Sequence, residues 1–233
     1  MTMLIVAAAV FLALHLLIAG TRLRDAIVGV IGEGSYMGLF SLASAGGIVW
    51  LAISYNAAFA AGSDVLWDFG PGVRHLGTIV VALAFLLGVS GLLTANPTAI
   101  GQQAAAAREP TGVLRITRHP FLWGVAIWAA FHMAANGDAA SVVFFGTFLV
   151  LAVLGTFSID AKRARKMGAA WTPFATQTSN VPFAAILGGR TSLKLGEILT
   201  FRQAAALGAF LAALFLHAWA FGASPFPGGW VPF

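Results

Sequence analysis

Six stretches of this chain run for about 17 to 26 residues without a single charged side chain: 3–20, 36–61, 76–96, 120–136, 139–158 and 203–223. Each is close to the roughly 20 apolar residues that an α-helix needs to cross a bilayer. An open sheet is excluded in lipid, because every unpaired backbone N–H or C=O there costs several kcal/mol. The stretches therefore predict an all-α, polytopic membrane helix bundle of about six transmembrane helices. Composition agrees. Only 9% of the 233 residues are charged, 59% are hydrophobic, and mean hydropathy is +0.89. A soluble domain carries about 25% charged residues, so this chain could not cover a water-facing globule.

The net charge of +5 and pI near 10.5 do not point to nucleic acid, because the basic residues sit in the short connections between apolar runs. Arg22 and Arg24 lie in one such loop, and Arg108, Arg115 and Arg118 in the next but one. Lys162, Arg163, Arg165, Lys166, Arg190, Lys194 and Arg202 lie in the long connection 159–202. Twelve of the thirteen cations thus fall on alternate loops, with Arg74 alone on the other side. Such a bias marks the cytoplasmic face, which predicts both termini on the non-cytoplasmic side. Residues 1–20 have no lysine or arginine before their apolar core, so they are expected to be a retained first helix rather than a cleaved signal peptide. With no cysteine present, disulfides, iron–sulfur clusters and thiolate chemistry are excluded.

Three units emerge: a five-helix membrane core over 1–158, an interfacial segment over 159–200, and a sixth span with an outer tail over 201–233. The interfacial segment mixes cations with Trp171, Phe174 and Phe183, a combination favoured at headgroups, and reads as a tether to anionic lipid or as a lid.

Ionisable groups within membrane spans are costly and usually functional. Here they are imidazoles only. His15, His132 and His217 lie inside the first, fourth and sixth stretches, and His75 and His119 at helix starts. Neutral imidazole is a good iron ligand. Two histidines from different helices in an apolar, cysteine-free setting suit haem b, which takes two axial nitrogens. Its anionic propionates favour arginine at one rim, for which Arg22, Arg24, Arg115 and Arg118 are candidates. Pro120 suits the first turn of a helix, which leaves Arg118 and His119 at the positive end of its dipole, where an anion is welcome. Spacing does not choose the iron ligands. His15 lies about 18 Å, and His132 about 6 Å, below the outer ends of their helices at 1.5 Å per residue. His75 or His217 remain alternatives as partners of one carbonyl or of the metal.

The segments "HLLIAGTRLRDAIVGVIGEGSYMGLFSLAS", "GVLRITRHPFLWGVAIWAAFHMAANGD" and "WTPFATQTSNVPFAA" resemble the NnrU family, bacterial inner-membrane proteins associated with denitrification and related to 15-cis-zeta-carotene isomerases. The resemblance implies a haem b held by His15 and His132, and a hydrophobic polyene or a nitrogen oxide as substrate, with an unspecified electron donor. In the isomerases a cysteine replaces one histidine on reduction; the matching position here is Ala129, so that ligand switch does not carry over. Arg118, His119 and Pro120 followed by Gly124 also resemble S-adenosylmethionine-dependent membrane methyltransferases, although of their acidic pair only Asp160 stands nearby. A third reading is a non-catalytic accessory protein for nitric oxide reductase.

Overall fold

The computed structural model describes residues 1–226; the last part of the expected outer tail, 227–233, lies outside the described residues. Each apolar stretch is helical. Helix α1 (Thr2–Leu12) continues directly as a π-helix over Ala13–Ala19. It is followed by α2 (Leu23–Ile31), α3 (Glu33–Ala60), α4 (Gly70–Leu92), the short α5 (Val113–Ile116), α6 (Pro120–Asn136) and α7 (Ala139–Met167). Three short helices, α8 (Thr172–Gln177), α9 (Ala184–Leu187) and α10 (Leu195–Ile198), precede α11 (Phe201–Phe221). Among the described residues the extended pairing is one isolated bridge, Val65 with Asp138.

Five helices are long and apolar enough to cross a membrane, against the six expected. The exception is α6, whose 17 residues span about 25 Å at 1.5 Å per residue, short of a roughly 30 Å hydrocarbon core. Its ends explain the brevity. Pro120 opens it, and Gly137, in the left-handed conformation at φ 69°, closes it. Asp138 then caps α7 by accepting the Ser141 N–H at 3.0 Å.

A further difference concerns the basic end of the bundle. Residues 23–31, expected as loop, form α2, whose Leu23, Ile27 and Ile31 share a face. Helix α7 does leave the last apolar stretch as the basic run after it suggests, reaching Met167, nine residues on, because residues 161–167 are strong helix formers with the basic Arg165 and Lys166 at the carbonyl end.

The helices form a row rather than a ring. Helix α1 packs on α3 and α7, with Leu4, Ala7, Ala8, Phe11, Leu51, Ala58 and Ala140 as the core. Helix α6 lies between α7 and α4, and α11 covers the far side of α4, where Phe85 meets Phe210. Small residues let α4 and α6 touch backbone to backbone: a Cβ on Gly124 would lie 2.6 Å from the Ala84 carbonyl oxygen, and one on Gly91 2.5 Å from Pro120 Cγ. At the basic end Trp171 and Phe174 turn inward onto Ala106 and Leu114. Of the three aromatics expected among headgroups, Phe183 alone is exposed; the other two cover a small second core.

Candidate functional site

His15 belongs to the π-helical turn. A wider i→i+5 turn is rare and concentrates at functional positions. The far end of this turn is pinned from α7, where Ser158 Oγ donates to the Gly20 carbonyl at 3.2 Å and Lys162 Nζ to the Ala19 carbonyl at 2.6 Å. The His15 ring sits between Phe11 (centroids 4.4 Å) and Phe40 (5.1 Å). Its Nδ1 is 2.8 Å from the Phe11 carbonyl oxygen. A carbonyl only accepts, so Nδ1 carries the hydrogen, and in neutral imidazole Nε2 keeps the lone pair. Metal-bound imidazole usually has this second hydrogen bond, which fixes tautomer and ring orientation. The Nε2 atom faces Ser44 Oγ at 3.4 Å.

His132 repeats the pattern on α6. Its Nδ1 donates to the Trp128 carbonyl at 2.8 Å, and its ring packs against Phe145 (4.8 Å) and Trp128 (5.0 Å). Phe148 bridges the two neighbourhoods, touching Phe11 on one side (5.9 Å) and Trp128 on the other (5.8 Å). The imidazoles therefore border one aromatic wall of α7 without meeting. Phe11 is level with Phe148 and Gly20 with Ser158, so His15 stands about seven residues beyond Phe145. At 1.5 Å per residue, that offset is about 10 Å along α7. Ala129, one turn before His132, is fully buried (0% exposed).

His75 and His217 also give Nδ1 to carbonyls, those of Pro71 (2.6 Å) and Ala223 (2.7 Å), so this bond alone does not single out ligands. His217 lies within electrostatic reach of His132. Among the described residues no three metal-ligating side chains gather at one point.

The remaining expected residues divide into two places. Arg24 lies beside the π-helical turn, paired with Glu33 and Asp25 and set over the Tyr36 ring at 5.0 Å. Arg22, at the start of α2, is exposed. Arg115, Arg118 and His119 instead join a clasp at the basic end. Arg115, 4% exposed, donates to both Glu197 oxygens (2.8 and 3.1 Å), to Glu109 Oε1 (2.7 Å) and to Thr191 Oγ1 (2.9 Å). Its guanidinium holds the Glu197 carboxyl down to about 2. Arg118 Nε reaches both Asp160 oxygens (2.9 and 3.0 Å), and His119, 2% exposed, shares Asp160 Oδ1 at 2.8 Å. Asn180 Nδ2 donates to the same carboxylate at 3.1 Å. The protein's own carboxylates thus occupy these three side chains.

Glu197, Tyr36 and the π-helical turn were not anticipated as parts of a site, and Asp160 only as the one acid near the place of the methyltransferase pair; pairings across 42 and 82 positions leave no local trace. A cleft of about 610 Å³ opens beneath Arg108, Met167 and Pro173; its lining includes no histidine.

A family model described as NnrU protein matches residues 3–225. The chloroplastic 15-cis-zeta-carotene isomerase of Zea mays is 34% identical over 83 residues, 36% of this chain and 23% of that protein. Its counterpart in Arabidopsis thaliana is 26% identical over 173 residues, 73% of this chain and 47% of that protein. The chain thus spans less than half the length of either relative. No solved structure matches it.

Proposed function

The chain belongs to the NnrU family, and from that premise we propose that it is a haem b-binding membrane protein acting as a cis–trans isomerase on a long apolar polyene. The observation that carries the reading is the His15 imidazole: it sits in a π-helical turn, its Nδ1 tied to the Phe11 carbonyl and its Nε2 lone pair facing a serine hydroxyl rather than bulk water. His132 has the same tautomer in an equally aromatic setting. The donor chemistry fits haem b, and these two imidazoles, each with Nδ1 tied to a carbonyl and Nε2 free to donate its lone pair, would hold its iron.

When bound, the haem would supply a redox-active iron for activating a conjugated double bond. The chain's own residues provide the rest. Phe11, Phe40, Phe145, Phe148 and Trp128 keep water away and present ring faces to a polyene arriving from the bilayer. Ala129 offers no sulfur, and with no cysteine in the chain the donors to such an iron would be imidazoles alone. The cation bias orients the basic end toward the cytoplasm of a bacterial inner membrane, where an electron donor has access. The glycine of the Arg118-His119-Pro120…Gly124 pattern packs against α4, and Arg118 and His119 are engaged by Asp160, which favours the haem reading over the methyltransferase one.

The test is a pyridine-haemochrome assay on detergent-solubilised protein, with Soret spectra of the alanine variants. Wild type is expected to carry haem b, and His15→Ala and His132→Ala each to lose it, while His75→Ala and His217→Ala keep it. A colourless wild type, or a Soret band indifferent to positions 15 and 132, overturns the proposal. Reduced holoprotein should then interconvert cis and trans isomers of zeta-carotene, as read by chromatography.

A further inference from the structure

We propose that Tyr36 and Arg24 form the anchor for an anionic carboxylate of the bound porphyrin, on the His15 side of the molecule; the inference rests on the haem reading above. Tyr36 is 5% exposed, and its hydroxyl is buried with no hydrogen-bond partner. A buried, unpaired hydroxyl costs about 1–3 kcal/mol, and such a group in a native fold calls for an acceptor that the protein alone does not provide.

Position and charge identify the acceptor. Tyr36 stacks on Phe40 (5.8 Å), and Phe40 meets the His15 ring (5.1 Å), so one face of α3 leads from the imidazole to the hydroxyl. Ser44, beside His15 Nε2, is eight residues from Tyr36, about 12 Å along the helix. The path leads from the imidazole toward the basic end. Arg24 lies over the Tyr36 ring, and its charge is felt at Lys162 and Arg163. A donor hydroxyl amid surplus cations selects an anion. Arg24 is itself paired with Glu33 and Asp25, but those side chains are 57% and 38% accessible, so the acids covering Arg24 can swing into solvent and yield it to another anion. The carboxylates holding Arg115 and Arg118, Glu197 and Asp160, are more enclosed, at 27% and 19%, so the four candidate arginines are not equivalent.

The experiment follows transfer of porphyrin from purified protein to an apomyoglobin scavenger, using haem b and its dimethyl ester. Tyr36→Phe removes only the hydroxyl and keeps the ring stack. It is expected to release haem b roughly ten-fold faster, as for loss of a hydrogen bond to a charged group, and Arg24→Gln to do the same, with Soret position unchanged in both. Wild type should release the ester roughly ten-fold faster than haem b, and Tyr36→Phe should add nothing further with the ester. Wild-type release rates from Tyr36→Phe overturn the inference while leaving the haem reading in place. So does a variant that loses bound phosphatidylglycerol, weighed by native mass spectrometry, yet keeps its haem, because the anion is then a lipid phosphate. A wild type without haem removes both proposals together.

Discussion

Asp160 accepts from Arg118, His119 and Asn180, so one carboxylate compensates the Arg118 charge and orders three side chains drawn from two connecting segments. Replacing it with asparagine keeps the shape and leaves the Arg118 charge uncompensated. Removing one partner of a mostly buried pair costs about 3–5 kcal/mol, so Asp160→Asn should lower the unfolding midpoint in detergent by an amount in that range. Asp25→Asn, in an exposed pair with Lys166, should change it by less than about 0.5 kcal/mol. Glu197 gives a pH signature. Its carboxyl falls from 4.5 to about 2 on folding, so the stabilisation is fully present above about pH 5 and is lost as pH drops through 4.5 toward 2. The stability gap between wild type and Glu197→Gln should therefore be wide at neutral pH and closed near pH 2. None of these pairings could be read in the chain. Arg115, Arg118 and His119 stood out because charge is scarce, but the groups that face them are set by how the 97–119 and 159–200 connections fold together. Anion-seeking was legible; that the anions are internal was not.

At the scale of elements, the apolar stretches specified where helices lie because burial in lipid leaves no alternative backbone arrangement. The basic run 161–167 marked α7 as continuing past the lipid, but nothing in the stretches marked the extra helix α2 or departures from α geometry. The π-helical turn of Ala13–Ala19 has no composition signal of its own; "ALHLLIA" is ordinary helix. Its geometry can be tested. Deleting Leu17, which faces outward, would restore α register and turn α1 by about 100° relative to α2. Helicity by circular dichroism should be retained while haem absorbance falls to the level of His15→Ala. The α4–α6 contact is similarly exacting. Gly124→Val would press methyls into the Ala84 carbonyl and the Gly88 backbone, at a cost of about 1–3 kcal/mol, seen as a lower midpoint. The same substitution at Gly46, where a Cβ meets nothing, should be tolerated.

For the molecule as a whole, a row of helices with lipid on both faces explains why so many large apolar side chains remain exposed, among them Leu42, Ile53, Leu83 and Trp219. In a soluble protein such a surface would aggregate; here it is the ordinary boundary with the bilayer. The charge asymmetry predicts orientation, and the absence of cysteine makes it measurable. A single Arg108→Cys should react with an impermeant maleimide only from the cytoplasmic side, and a single Leu66→Cys only from the opposite side. Labelling in the reverse sense would invert the assignment of both termini.

The clasp around Asp160 and Glu197 also bears on the order in which the protein can be made. A ribosome delivers Arg115, Arg118 and His119 to the insertion machinery before it has polymerised either acid. Throughout that interval Arg115 has only Glu109, made just before it, and Arg118 lacks its Asp160 partner. The clasp at the basic end is therefore completed late in synthesis, by residues that the peptidyl-transferase centre adds after five of the six apolar stretches have already been handed over.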